Sequence, residues 1–248
     1  MFLIGDIGNT ETKICLLNEN LQIKKRLIFS TNFKKIRLIK KNLKLFISKK
    51  IDLEFCLFSS VVPNFYRILK DCLYKHKKIK SFELKDIAFN KKISLKVNKS
   101  KIGSDRIANA LGAMNNKDNF IIIDFGTATT FDVLIKKTYH GGIIAPGIRL
   151  SLETLFKKAS LIPKLNLKQI NKVIGVNTHE AVRSGFFWGY TGLINNMVKM
   201  IEKETKKKFK IIITGGYSKL YKKNLGKKVI YDKDITIKGL KKLIKLKN

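Results

Sequence analysis

One short pattern occurs twice at the same place in a repeated order of elements, and it limits what this chain can fold into. Asp6-Ile7-Gly8-Asn9-Thr10 closes the apolar run that starts at Phe2, and Asp124-Phe125-Gly126-Thr127-Ala128-Thr129-Thr130 follows the apolar run that starts at Phe120. Around the first copy, apolar runs at 2–7, 12–17 and 21–29, separated by tight polar turns, predict three consecutive strands. Ile36, Ile39, Leu43 and Phe46 recur at helical spacing and predict a helix over 33–48, followed by a strand at 55–60 and a helix at 65–74. This βββαβα order restarts after a helix at 104–114. Strands are expected at 120–124, 130–135 and 139–145, helices at 148–157 and 180–204, and a strand at 210–214. At roughly 150 residues per domain, 248 residues suit two small domains, 1–114 and 115–248. The basic amphipathic stretch 235–246 is expected to be a surface helix closing the second.

Each D-x-G turn has a bland explanation and a chemical one. Asp-x-Gly-Asn is good hairpin chemistry. A carboxylate at a strand end, followed by Gly8 and by the small polar Asn9 and Thr10, also offers backbone N–H groups to a phosphate and an acid to a divalent cation. The second copy tips the balance, since an ordinary turn needs no run of threonines after four apolar residues. Its hydroxyls and amides suit polyphosphate oxygens, and Asp124 is expected to join Asp6 in one cleft.

Gly103-Ser104-Asp105-Arg106 precedes a helix of small residues. Ser104 or Asp105 could simply cap that helix, but a carboxylate beside a guanidinium at a helix start also fits an acid/base site next to an anion site. Further candidates are the strand ending in Ala145-Pro146-Gly147, Thr178 at a helix start, and Gly215-Gly216, where an adenine could lie against backbone.

A net charge of +34 raises nucleic-acid binding. The lysines are spread along the chain among Ile and Asn rather than clustered, so a solvated basic surface that attracts anionic ligands is the expectation, with no specific nucleic-acid partner. No apolar run approaches the ~18 residues of a membrane span, and the first residues lack a secretory pattern. Cys15, Cys56 and Cys72 form an odd set without metal-ligand spacing. A cytoplasmic protein without membrane association is expected. His76, His140 and His179 are read as structural or surface residues, and the cluster Phe186, Phe187, Trp188 and Tyr190 as core or a homodimer interface.

The two D-x-G turns with a late Gly-Gly turn resemble the acetate kinase, hexokinase and actin superfamily. Adding G-x-D-R, G-G-x-I-x-P-G and T-x-x-A-x-x-S-G, the chain resembles the type III pantothenate kinases from Asp6 to Gly216. The resemblance implies duplicated actin-like (ribonuclease H-like) α/β domains facing each other across a nucleotide cleft. It implies transfer of the γ-phosphoryl of ATP to the 4′-hydroxyl of pantothenate, the first step of coenzyme A biosynthesis, with Asp105 as proton acceptor. Asp6, Gly8, Asn9, Thr10, Lys13 and Thr127 would bind ATP, joined by Gly215 and Gly216. Gly103, Ser104, Asp105, Arg106 and Thr178 would bind pantothenate. Asp124 would hold a monovalent cation, K+ or NH4+, and Asp6 would face Mg2+. A homodimer is also implied. Lys96 stands where the family usually carries Tyr. The competing expectations are a kinase of the same fold with another acceptor, and a catalytically silent regulatory or nucleic-acid-binding relative.

Overall fold

The computed structural model describes residues 1–226 and 229–245. It divides into two compact units, one of Met1–Ala113, Lys137–Tyr139 and the segment from Asp234 onward, the other of Met114–Lys136 and His140–Lys233.

The first unit opens with β1 (Phe2–Ile7), β2 (Glu11–Leu17) and β3 (Ile23–Ser30), an antiparallel meander. Helix α1 (Ile36–Phe46) crosses over to β4 (Phe55–Ser60), which lies parallel to β1, and α2 (Pro63–Lys77) leads to β5 (Ser81–Glu83), parallel to β4. The sheet order is β3-β2-β1-β4-β5. Leu3, Ile7, Ile14, Leu16, Cys56 and Phe58 share one core with Ile39 and Leu43 of α1 and Phe65, Leu69 and Leu73 of α2. Pro63 opens α2, where its missing N–H costs nothing. A short β6 (Ser94–Leu95) pairs in parallel with Thr138 and Tyr139. Helix α3 (Ser104–Ala113) completes the part of this unit before residue 114.

The second unit repeats the order with β7 (Asn119–Phe125), β8 (Ala128–Ile135), β9 (Thr138–Pro146), α4 (Ile148–Lys158), α5 (Thr178–Thr205), β10 (Lys210–Gly215), α6 (Ser218–Tyr221) and β11 (Val229–Tyr231). Strand β7 is antiparallel to β8 and parallel to β10, which is parallel to β11. The sequence β9-β8-β7-β10-β11 is thus the first sheet's order over again. Its core joins Ile121, Ile123, Phe131 and Ile213 to Ile148, Leu152, Phe187 and Ile194. The aromatic cluster serves this core: Phe187 stacks on Tyr221 and meets Trp188 edge-on.

The last helix, α7 (Ile235–Ile244), departs from expectation. It packs on α3 and borders β1 and β4 of the first unit, instead of closing the second; Leu246, the expected end, lies outside the described residues. Its apolar side, Ile237, Leu240, Leu243 and Ile244, is buried, so it supplies cover that β1 and β4 need on the face opposite α1 and α2. The expected helix at 33–48 begins as a 3-10 turn, Phe33–Lys35, with the Asn32 side chain accepting from the Lys34 N–H. Strands β5, β6 and β11 span two or three residues each, too few to leave a period in the sequence.

Candidate functional sites at the strand ends

In the first unit Asp6 stands next to last on β1, with Lys13 opposite on β2 and Ser59 opposite on β4. The turn after it is closed by the Gly8 N–H donating to the Glu11 carbonyl at 3.0 Å. Thr31 Oγ1 donates to the Gly8 carbonyl at 2.7 Å, which holds the turn against the end of β3. Asn9 and Thr10 are exposed at its tip. This is the carboxyl end of the parallel pair β1–β4, where the strand order reverses and open α/β sheets place ligands.

The start of α3 meets the same strand ends. The Ser104 hydroxyl donates to the Ser60 carbonyl at 2.8 Å and accepts from the Ser60 N–H at 3.0 Å, while the Val61 N–H donates to the Ile7 carbonyl. Ser104 is therefore not a helix cap, because its hydroxyl points back to β4 rather than forward into α3. Asp105 follows, partly buried, with Oδ1 accepting from the Arg106 N–H at 2.8 Å. Burial pushes its carboxyl above the usual carboxylate range, against the opposing pull of that hydrogen bond and of the Arg106 and Lys85 charges. A Cβ at Gly103 would meet Asp105 Oδ1, so a larger residue there would displace the carboxylate. The structure thus brings the Asp6 turn and the Gly103–Arg106 segment to one end of one sheet.

Lys13 sits in an ionic group invisible in the sequence. Its Nζ is 3.8 Å from Asp234 Oδ1, and Asp234 accepts two hydrogen bonds from Arg26, at 2.7 and 2.8 Å. The bidentate bond raises the Arg26 pKa further. Ser60, Lys85 and Asp234 are absent from the sequence-derived candidates. No local motif marks them; only folding brings them beside Ser104, Asp105 and Lys13.

The second unit builds a matching arrangement. Asp124 is next to last on β7, opposite Thr130 on β8 and Thr214 on β10. The Gly126 N–H donates to the Ala128 carbonyl at 3.1 Å, and the Gly216 N–H to the Phe125 carbonyl at 3.1 Å. Gly215 adopts φ +86°, and a Cβ on it would come within 2.6 Å of Asp124 Oδ1 and of Phe125 backbone; only glycine satisfies both the conformation and the space. A Cβ on Gly147 would overlap the Thr127 carbonyl oxygen. Asp124, Gly126, Thr127, Gly147, Gly215 and Gly216 therefore converge on one end of this sheet. Thr178 is the exposed first residue of α5. Its helix is capped by the Asn177 side chain, which accepts from the Glu180 N–H at 3.0 Å, so Thr178 is no cap and its hydroxyl is not spent on one.

Lys96 is exposed, and its N–H donates to the Tyr139 carbonyl at 2.9 Å. All the acidic donors at these strand ends are oxygens, and among the described residues no group of three or more His, Cys, Asp or Glu gathers to hold a metal. Such a set fits hard cations that keep water and nucleotide oxygens as ligands, as Mg2+ does.

Known structures share this architecture. A Campylobacter jejuni protein described as a candidate Baf family transcriptional activator superposes with a TM-score of 0.66 at 21% identity, covering 99% of this chain and 98% of that one. A Listeria monocytogenes protein described as a candidate N-acetylmannosamine kinase gives 0.57 at 11% identity, with 100% and 99% covered. The duplicated sheets, each with an Asp-x-Gly turn after its first strand, define the class of the actin-like, sugar-kinase-like fold.

The profile of the type III pantothenate kinase family matches residues 2–200, and a type III pantothenate kinase of Pelagibacter ubique (strain HTCC1062) is 59% identical over 240 residues, 97% of either chain. The chain belongs to the type III pantothenate kinase family.

Proposed function

We propose that this enzyme transfers the γ-phosphoryl of ATP to the 4′-hydroxyl of pantothenate, giving 4′-phosphopantothenate on the way to coenzyme A, with Asp105 as the group that orients the hydroxyl and accepts its proton. The observation that carries the residue assignment is Asp105 itself: a partly buried carboxylate on the first turn of α3, tied through Ser104 and Ser60 to the strand beside the Asp6 turn. Phosphoryl transfer has a loose transition state, so the protein acts by positioning and by neutralising charge on the transferring oxygens. A carboxylate is too weak a base to ionise a free alcohol beforehand. Asp105 accordingly orients the hydroxyl and takes its proton late, as the new O–P bond forms.

The turn at Gly8, with Asn9, Thr10 and Lys13, and Thr127 receive phosphate oxygens, the Gly215–Gly216 backbone lies against adenine, and Arg106 and Thr178 hold pantothenate. Asp124 is the ligand for K+ or NH4+, and Asp6 faces Mg2+ carried by the nucleotide, which would supply charge neutralisation on the phosphates. The working protein is a cytoplasmic homodimer. No helix among the described residues is long and apolar enough to cross a membrane.

The test is an assay of ATP and pantothenate with Mg2+, in K+ against Na+, for the wild type and Asp105→Asn. Product formation that depends on K+ and falls by roughly 100- to 10,000-fold in the variant supports the reading. A wild type that binds ATP and leaves pantothenate untouched overturns it.

A further inference from the structure

Ser104 is buried while Gly103, Asp105 and Arg106 on either side are partly open. A substrate-binding hydroxyl would need to face those open neighbours. Instead its one proton goes to the Ser60 carbonyl and a lone pair to the Ser60 N–H. Ser60 ends β4, and the residue before it is the register partner of Asp6. The Ser60 N–H has a second, longer acceptor in Glu83 Oε1 at 3.4 Å, so its carbonyl depends on Ser104 more than its N–H does. Arg106 and Lys85 are the charges acting on Asp105. The body of α3 rests on α7, and the reciprocal pair of bonds ties its first turn to the end of β4.

We propose that Ser104 is a positioning residue for Asp105: it locks the first turn of α3 to the end of β4 and so sets the carboxylate against the Asp6–Thr10 turn, without touching pantothenate. The inference rests on Asp105 meeting the acceptor hydroxyl. A near-attack geometry tolerates little error, and a displacement of about 1 Å costs on the order of 100-fold in rate. Losing the bonds frees the head of α3 to move by such an amount while leaving the phosphate turn, which has its own hydrogen bonds to Glu11 and Thr31, in place.

The experiment is steady-state kinetics of the wild type, Ser104→Ala and Ser104→Cys, with ATP and pantothenate varied in turn and kcat followed against pH. For Ser104→Ala a fall in kcat of roughly 10- to 100-fold is expected, with both KM values nearly unchanged. The acid limb of kcat should move to lower pH as Asp105 becomes better solvated. The Cys variant, with its weaker donor and acceptor, should fall between Ala and the wild type. A raised KM for pantothenate at unchanged kcat would mean that Ser104 touches substrate, and overturns the proposal. So does a Cys variant no better than Ala, or an Ala variant as active as the wild type. A wild type inactive on pantothenate removes the proposed function first, and this role with it, before any variant is compared.

Discussion

Gly239 of α7 lies so close to Ala108 of α3 that a Cβ on it would overlap the Ala108 carbonyl oxygen. One turn away, Thr236 Oγ1 donates to Asn109 Oδ1 at 2.7 Å, and Lys242 Nζ reaches the Gly112 carbonyl at 3.0 Å. A Cβ on Gly112 would in turn overlap the Ile235 carbonyl oxygen. The two helices therefore meet backbone to backbone, and the helix that carries Asp105 rests on the last helix of the chain.

Gly239→Ala should thus be destabilising even though alanine is the better helix former. The alanine gain is about 1 kcal/mol, whereas overpacking against backbone costs about 1–3 kcal/mol, so a net loss is expected. Urea denaturation midpoints of the two proteins decide it; an unchanged or higher midpoint in the variant would show that α3 and α7 separate at little cost.

The acid limb of kcat should lie above the ordinary aspartate range. Asp105 works as a carboxylate, so the rate falls as pH drops through its pKa. Burial raises that pKa above the unperturbed value, which is about 3.9. A pH–rate profile at saturating substrates reads the limb directly. A limb at or below the ordinary value would mean that the Arg106 N–H and the Arg106 and Lys85 charges outweigh burial.

The same burial predicts that activity at this position is held at the expense of stability. With the folded pKa raised, the folded protein binds more protons than the unfolded chain between the two pKa values, so stability falls as pH rises through that window and stays lower above it. Asp105→Asn, which keeps an oxygen to accept from the Arg106 N–H, should therefore melt higher than the wild type at neutral pH. The difference should vanish below about pH 3.9, where both states of the wild type are protonated. Melting curves at neutral and acid pH test both parts.

Gly147→Ala should disturb the second turn from outside it. The added Cβ would meet the Thr127 carbonyl oxygen and lie 2.7 Å from the Gly126 carbonyl oxygen, atoms of a hairpin that cannot rotate away. A rise in KM for ATP of roughly tenfold is expected, with kcat for pantothenate less affected. An unchanged KM would separate Thr127 from the nucleotide.

Much of this protein was legible in its sequence, because the signals concerned are local. The apolar runs at Phe2 to Ile7 and Phe120 to Ile123 are buried strands, the spacing of Ile36, Ile39 and Leu43 is a helix face, and the repeated Asp-x-Gly turns close the first hairpin of each sheet. Backbone conformation and the side of an element that must leave water follow from neighbours a few residues away, so they leave a readable period. What only the tertiary structure decided depends on residues far apart in the chain. The hydroxyl of Ser104 could cap a helix, bind a substrate or reach another strand, and it is Ser60, 44 positions earlier, that takes it. Lys13 meets Asp234, and the C-terminal helix returns to cover the first sheet. A hydrogen-bonding group satisfies whichever partner the packed chain presents, and an exposed apolar face is covered by whichever element fits it. Those choices are made by the closing of the core.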